Sequence, residues 1–565
     1  MILSRDYVYG LERKHYKYKT KIAKYVTEYV RFANDGTIMH YVFDSASNET
    51  KCVYFLQSEC KKLNTRIIKI FDAVYPQGGK NLIVGFCSDA HMLSMILDHA
   101  GVVYESYRRT ETEYIYIKIN GTYFLQCDDL GDDSDVIALH KNKIDEVKRT
   151  GILGLTTAAE VRNRIHSAFV KSQWTNDKIA SLYINKYKIH EYIMHRIYRG
   201  GNCYSVPGEY GNVDMWDMDS AHLRQMLVRR YPTSAFEVVE VSTLDEVRSY
   251  IKSGYAVICD VTFERIESRY WGLGVESKST KEGVTMIDSA RHVLKSERMT
   301  ATLTEVDLSI YDMIYTWKKA KVNFFMIAKK NLLPAYLRNT IKELYLSKAN
   351  KKAAGLDYTG DKKRANMAYG ACATKFDCKG IDQSTCAEVE YYNHKHRSEL
   401  SPFWAVWTAA YTREAQCKLL SLTADFAIYG DTDSVYTKHT WSIQKVVENI
   451  NNEIRGENNK LGVPEQIGTW ELKRAIKLKI IGAKQYAYID AERRKTVIKS
   501  AGIAKEALEG ITYDKYNKGL TVKGARRHIE DINGVYRYVY DDITIGEAIK
   551  LDELNYFIKR MYNRY

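Results

Sequence analysis

Asp431 and Asp433 stand two positions apart in Tyr429-Gly430-Asp431-Thr432-Asp433-Ser434, directly after the apolar run Phe426–Tyr429. Side chains alternate along a strand with a period of two, so a strand here would point both carboxylates the same way. Carboxylate oxygens suit Mg²⁺, a hard cation that takes oxygen ligands. The same residues also suit an ordinary turn. A second acidic segment, Asp217-Met218-Asp219-Ser220-Ala221-His222, reads as a strand end running into a helix. Asp217 there offers a third carboxylate, while Asp219 alternatively caps the helix. A third segment runs from Lys362 to Gly370. At helical spacing Lys362, Asn366 and Tyr369 share one face. A cation, an amide and an aromatic ring there could hold a triphosphate, a sugar and a base, or the face could simply be solvated.

The elements that must position these groups are legible around them. Residues 213–229 read as a strand followed by a helix. Residues 334–374 read as two helices about the turn LDYTGD, with Pro334 opening the first. Residues 402–424 have the periodicity of a buried helix, and DFAIYGDTDSVYTK then reads as strand, tight turn and strand. The run IKLKIIGAKQYAYIDAERRKTVIKSAGI is mostly strand. Near the N-terminus, residues 38–60 and 81–98 mix strand-like and helix-like runs. Residues 112–127 alternate as a hairpin turning at Asn120-Gly121. These suggest an α/β unit ending near residue 165.

The chain has 565 residues, enough for about three to five packed units. Its 84 Lys and Arg against 70 acidic residues give a net charge of +14, which favours a polyanionic partner through counterion release. The 45 tyrosines among basic residues suit stacking on bases. None of the 10 cysteines has CxxC spacing, which argues against a zinc ribbon. The charged N-terminus has no apolar signal core, and no stretch reaches the ~18 apolar residues of a membrane span. No membrane role and an intracellular location are expected. Repeats, low-complexity tracts and long linkers are absent from the sequence, so closely packed domains are expected.

Taken together, the three segments resemble the family B DNA polymerases. The Asp217 segment is similar to motif A (D-x-x-S-L-Y) and Lys362–Gly370 to motif B (K-x-x-x-N-S-x-Y-G). Tyr429–Ser434 resembles motif C, and Lys484-Gln485-Tyr486 the K-x-Y motif. Tyr198-Arg199-Gly200-Gly201 resembles the Y-x-G-G motif of the protein-primed branch. So do the spacings of 145 positions from Asp217 to Lys362 and 61 from Gly370 to Asp431, which leave room for that branch's two insertions. The segment IKSAGIAKEALEGITYDKYNKG is similar to the branch near its thumb.

The resemblance implies an α/β and α+β multidomain chain, a right-hand polymerase with palm, fingers and thumb. An N-terminal exonuclease-like (RNase H-like) domain would precede it. The implied boundaries are 1–165 for the exonuclease-like domain, 166–235 for the first palm part and 236–332 for the first insertion. The fingers follow at 333–374, the second insertion at 375–400, the second palm part at 401–500 and the thumb at 501–565.

The implied reaction is attack of a primer 3′-hydroxyl on the α-phosphate of a dNTP. Two Mg²⁺ ions roughly 3.5–4 Å apart, replaceable by Mn²⁺, would stabilise the attacking and leaving oxygens. By resemblance Asp217 and Asp433 bridge the metals, the Met218 carbonyl adds a ligand, and Asp431 supports the site. Lys362 neutralises the triphosphate, Asn366 and Tyr369 line the nascent base pair, and Lys484 and Tyr486 hold the primer end. Tyr198, Gly200 and Gly201 contact template. The implied partners are primer-template DNA, dNTPs and a terminal protein whose side-chain hydroxyl serves as the first primer. A virus or linear plasmid in a host cytoplasm is the implied setting.

Two departures bear on this. His222 replaces the motif A tyrosine that excludes ribonucleotides, and Met367 replaces the motif B serine. In the N-terminal domain Asp44 and Asp89 are the only plausible remnants of the exonuclease carboxylates. Asn163 and Ser167 occupy the Tyr and Asp places of its third motif, so loss of proofreading is expected. The alternatives are a DNA- or RNA-primed family B polymerase with retained 3′–5′ exonuclease, or an inactive nucleic-acid-binding protein.

Overall fold

A computed structural model describes residues 25–32, 37–44, 49–57, 82–99, 104–108, 114–119, 122–126, 157–173, 196–276, 278–288, 290–373, 377–381, 388–392, 400–532 and 535–546. The chain divides into two compact units. One comprises residues 1–163, 375–395 and 526–541; the other comprises 164–374, 396–525 and 542–565.

The first unit is built on a seven-stranded mixed sheet. Its strand Tyr25–Phe32, third from one edge, pairs antiparallel with Thr37–Asp44 on one side and parallel with the middle strand Leu82–Cys87 on the other. The two expected hairpin strands, Tyr114–Ile119 and Thr122–Gln126, pair antiparallel with Ile119 opposite Thr122; the expected turn at Asn120-Gly121 lies outside the described residues. The helix Ala90–His99 buries Met92, Leu93, Ile96 and Leu97 with Val30, Ile38, Ile117 and Phe124 in one apolar core. Tyr536 and Tyr538, from the C-terminal hairpin Thr521–Ile532/Val535–Thr544, pack against the same core. Within the segment expected to form the second insertion, Asp377–Ile381 pairs antiparallel with Glu388–Tyr392.

The second unit carries another seven-stranded sheet over the segments expected to form the palm. Its strands are β1 (Cys203–Ser205), β2 (Gly208–Met218), β3 (Ala427–Asp431), β4 (Ser434–Lys438), β5 (Trp470–Gly482), β6 (Gln485–Asp490) and β7 (Thr496–Ser500). The order β7-β6-β5-β2-β4-β3-β1 places β2, from early in the chain, between β5 and β4. The segment expected to form the first insertion has a sheet of its own, with Ala256–Ser268 between Val293–Thr304 and Lys319–Ala328.

Five helices of this unit bear on the site: α1 (Ala221–Val228), α2 (Glu305–Ile314), α3 (Ala335–Ala353), α4 (Thr359–Cys372) and α5 (Pro402–Leu422). Pro402 opens α5 where its missing N–H costs nothing. Trp404 and Trp407 of α5 are fully buried. Burial of each contributes about 3 kcal/mol before entropy is counted. The reading of 334–374 as two helices about a turn holds as α3 and α4. Among the described residues no helix is long and apolar enough to cross a membrane.

Candidate active site

The sheet brings the distant acidic segments together. Asp217 on β2 lies opposite Ser434 on β4, and the Met218 N–H donates to the Asp433 carbonyl at 2.9 Å. Asp431 pairs with Ser434 across the β3–β4 hairpin, so Thr432 and Asp433 form its two-residue loop. The alternation argument for Asp431 and Asp433 therefore fails: Asp433 lies beyond the strand, not on it. Thr432 takes a left-handed conformation, φ 57°, and the Asp433 N–H donates to the Asp431 carbonyl at 2.7 Å. A β-branched residue rarely adopts that backbone, so surrounding structure must hold the turn. A Cβ on Gly201 would collide with the Thr432 side chain, and the Thr432 N–H donates to the Asn202 carbonyl at 2.8 Å. Gly201 is thus required by close approach to the turn.

The two outer aspartates behave differently. Asp431 is paired with Lys484, whose Nζ lies 2.8 Å from both carboxylate oxygens. Among the described residues no ion pair holds Asp433. Burial, the Asp217 charge and then the Asp431 charge raise its carboxyl to about 6. Burial also pushes Asp217 up, against the pull of Lys473, whose Nζ is 3.9 Å away, and of Lys362. Two carboxylates that repel each other in a half-buried site are short of positive charge.

That shortage fits a divalent ion. Among the described residues no cluster of three or more His, Cys, Asp and Glu side chains gathers as a metal cage. Mg²⁺ does not need one, since it is commonly held by one or two carboxylates together with waters and substrate phosphates. Asp217 and Asp433 could supply that pair, whereas Asp431 is already ion-paired with Lys484.

The expected nucleotide face lies on α4. Lys362 and Asn366 are exposed and Tyr369 is half-buried. Lys362 is close enough to lower the carboxyls of both Asp217 and Asp433. Tyr369 stacks on His222 of α1, with ring centroids 4.4 Å apart and planes 28° from parallel. Its hydroxyl shares a 2.7 Å hydrogen bond with Tyr198. Burial, then the Arg413 charge, lowers His222 to about 4, so the imidazole is neutral near pH 7. The Y-x-G-G segment, motif A and motif B thus meet in three side chains.

Asp219 does not cap α1. Ser220 takes the N-cap place, with φ 51° and no side-chain cap bond. The Asp219 carboxylate instead accepts from Lys348 Nζ at 2.6 Å and the Tyr345 hydroxyl at 2.9 Å, both on α3. This fastens the fingers segment to the strand that carries Asp217. Tyr486 is 9% exposed, and its hydroxyl meets that of Tyr436 at 3.1 Å in a tyrosine cluster. Lys484 therefore presents the polar head of the K-x-Y segment while Tyr486 packs beneath it.

Three groups near the site gave no signal in the sequence. Arg199 forms a buried ion pair with Glu276 of the first insertion at 2.9 Å. Arg413 of α5 forms another with Asp307 at 2.6 Å. Gln416, fully buried one turn further along α5, reaches the β3–β4 hairpin. The Tyr345/Lys348 pair, three apart on a helix, was the one such feature that spacing could have suggested.

In the first unit Asp44 ends its strand. Asp89 caps a helix: its Oδ1 accepts from the Met92 N–H at 2.9 Å, and Arg527 stands 3.8 Å from its Oδ2. Asn163 and Ser167 both fall on the expected helix, Thr157–Val170.

No family model and no curated protein matches this sequence. Its structure is similar to that of Phi29 DNA polymerase complexed with primer-template DNA and incoming nucleotides, with a TM-score of 0.67 at 14% identity, covering 92% of this chain and 99% of that one. The complexes of the same polymerase with primer-template DNA alone and with single-stranded DNA give TM-scores of 0.66 and 0.65 at 14% identity, each covering 92% of this chain and all of the other. The chain therefore has the fold of Phi29 DNA polymerase, the multidomain right-hand polymerase fold that its motifs led us to expect.

Proposed function

We propose that this chain is a template-directed DNA polymerase, a nucleotidyltransferase that uses two Mg²⁺ ions and is primed by a terminal protein. The observation that carries the reading is the convergence of Asp217, on β2, and Asp433, 216 positions later in the turn between β3 and the neighbouring β4, in a Phi29 polymerase-like fold. Asp217 and Asp433 would hold the ions, which when bound lower the cost of the charge that develops on the attacking and leaving oxygens. Lys362 meets the triphosphate as a point charge, and Asn366 and Tyr369 line the incoming pair. Lys484, fixed by Asp431, presents its ammonium to the primer end. Gly201 lets the template-contacting segment press against the turn that carries Asp433.

Both expected insertions form sheets of their own, which supports protein priming over priming by RNA or DNA. The terminal protein would be a separate chain that offers a Ser, Thr or Tyr hydroxyl in place of the 3′-hydroxyl, and a linear viral or plasmid genome is the fitting substrate. Proofreading is absent in this reading, because Asp89 is committed to a helix cap. His222 is smaller than the motif A tyrosine, so sugar discrimination is relaxed. His222→Tyr should raise the ratio of dNTP to rNTP incorporation, and an unchanged ratio would refute that role.

Extension of a labelled primer-template with Mg²⁺ and dNTPs tests the whole reading. The natural chain should extend the primer and Asp433→Ala should not. Equal extension by both, or none by the natural chain even with a terminal protein supplied, would overturn it.

A further inference from the structure

The turn that carries Asp433 is held from beneath by α5. Gln416 is 0% exposed, and its Nε2 lies 3.3 Å from the Asn202 carbonyl and 3.2 Å from the Ser434 carbonyl. Both partners are acceptors, so only the amide NH₂ can face them, and this fixes the orientation of the side chain. Its other end, Oε1, is buried with no hydrogen-bond partner. A buried acceptor without a donor destabilises the fold, so an apolar residue of similar size would suit the core better. The two donated bonds are what the site gains from a glutamine here. Asn202 O accepts from Thr432 N–H as well, so Gln416 ties together the segment before the turn and the strand after it. A Cβ on Gly430 would stand 3.2 Å from the Gln416 Nε2, so the hairpin rests directly on this amide.

One turn earlier Arg413 does the same for the Y-x-G-G segment. Its Nη1 donates to the carbonyls of Arg199 at 2.6 Å and Gly200 at 2.9 Å, and its Nη2 to Asp307 at 2.6 Å. Asp307 is itself fixed, since its Oδ2 accepts from the Thr304 hydroxyl at 2.8 Å in a capping box that opens α2. Arg199 is anchored to Glu276 and to the Thr302 carbonyl. The backbone from Arg199 to Asn202 is thus clamped along its length, and that backbone presses Gly201 on Thr432.

We infer that Gln416 and Arg413 are positioning residues that hold the left-handed Thr432 turn in the form that lets Asp433 and Asp217 share a divalent ion. The inference rests on the polymerase reading above. Both side chains are buried. They act through the backbone of residues 199–202 and 434, as outer groups act on the residues that ligate a metal.

The test is a Mn²⁺ titration of the full chain, with free ion followed by its electron paramagnetic resonance signal and no turnover required. Gln416→Leu should weaken Mn²⁺ binding about tenfold, the lower end of the range for outer groups of metal sites. Its thermal midpoint should match or exceed that of the natural chain, because the orphaned Oε1 is gone. A role confined to packing would not lower affinity while stability holds. Arg413→Lys keeps the charge beside Asp307 but cannot reach both carbonyls, and it should weaken binding in the same direction. It decides the matter alone if Gln416→Leu does not fold. Natural affinity in the folded variants overturns the inference and leaves the polymerase reading standing. Natural affinity in Asp433→Ala overturns both.

Discussion

Each unit of this molecule has a seven-stranded sheet with aspartates at or beyond its strand ends, yet the two sheets use them differently. In the second unit β2 runs between β5 and β4, so Asp217 arrives beside a turn that belongs to a segment 216 positions later. The result is charge crowding, with Asp433 raised to about 6 by burial and by its neighbours. In the first unit Asp89 follows its strand just as closely, but it spends its carboxylate on the Met92 N–H and stands near Arg527. In the proposed reading an acidic residue at a strand end suits a divalent ion when topology delivers a second carboxylate and the nearby cations, here Lys473 and Lys362, do not offset the crowding. Asp431 makes the same point inside the site, since Lys484 has already neutralised it.

The contrast can be broken by substitution. Asp217→Asn should reduce primer extension by about 1000-fold or more, the equivalent of losing roughly 4 kcal/mol of metal-borne stabilisation. Asp89→Asn should leave the rate unchanged. Comparable losses from both, in single-turnover extension, would erase the distinction between the units.

Lys348→Ala comes next. It removes the cation paired with Asp219 and leaves only the Tyr345 and Ser220 hydroxyls as the donors described for that carboxylate, and removing one partner of a buried pair costs about 3 kcal/mol. Calorimetry should show a lower unfolding temperature, and a melt that matches the natural chain would mean the pair is not a fastening.

The charge crowding makes a smaller prediction about pH. The folded chain without metal binds the Asp433 proton more tightly than the unfolded chain, whose carboxyl keeps its ordinary 3.8. The stability this proton lends is whole below that value and is lost as pH rises through about 6. A divalent ion competes with the proton for the carboxylate. The rise in melting temperature caused by Mg²⁺ should therefore be larger near pH ~7.5 than near pH ~5. Equal rises at both would mean that Asp433 is not crowded.

The smallest effect belongs to the cap. Asp89→Ala should destabilise the first unit by about 1 kcal/mol, measured by denaturant unfolding, without altering nucleotide release from a mismatched 3′ end. Release that Asp89→Ala abolishes would restore an exonuclease to this chain.

Much of the fold was legible because it is written in local patterns. The two helices about LDYTGD, the buried helix that became α5 and the paired strands Tyr114–Ile119 and Thr122–Gln126 each announce themselves by periodicity or turn chemistry. The site was legible as motifs but not as geometry. A period-two reading put Asp431 and Asp433 on one strand face, whereas a left-handed threonine places Asp433 in the loop. Asp219 read as a cap because helix starts favour aspartate, and only the packing of α3 supplies Lys348 as its partner. Asp307 shows locally as the acid of the Thr304 capping box, but nothing local marks the contacts that tie Arg199, Glu276, Asp307, Arg413 and Gln416 to the site, because these join residues 18 to 214 positions apart.

The most direct test is a crystal of the full chain soaked in Mn²⁺ and examined at the manganese absorption edge. An anomalous peak within ligand distance of both the Asp217 and Asp433 carboxylates is the predicted result. A chain that extends primers while its manganese sits elsewhere, or touches only one of the two, would contradict the account.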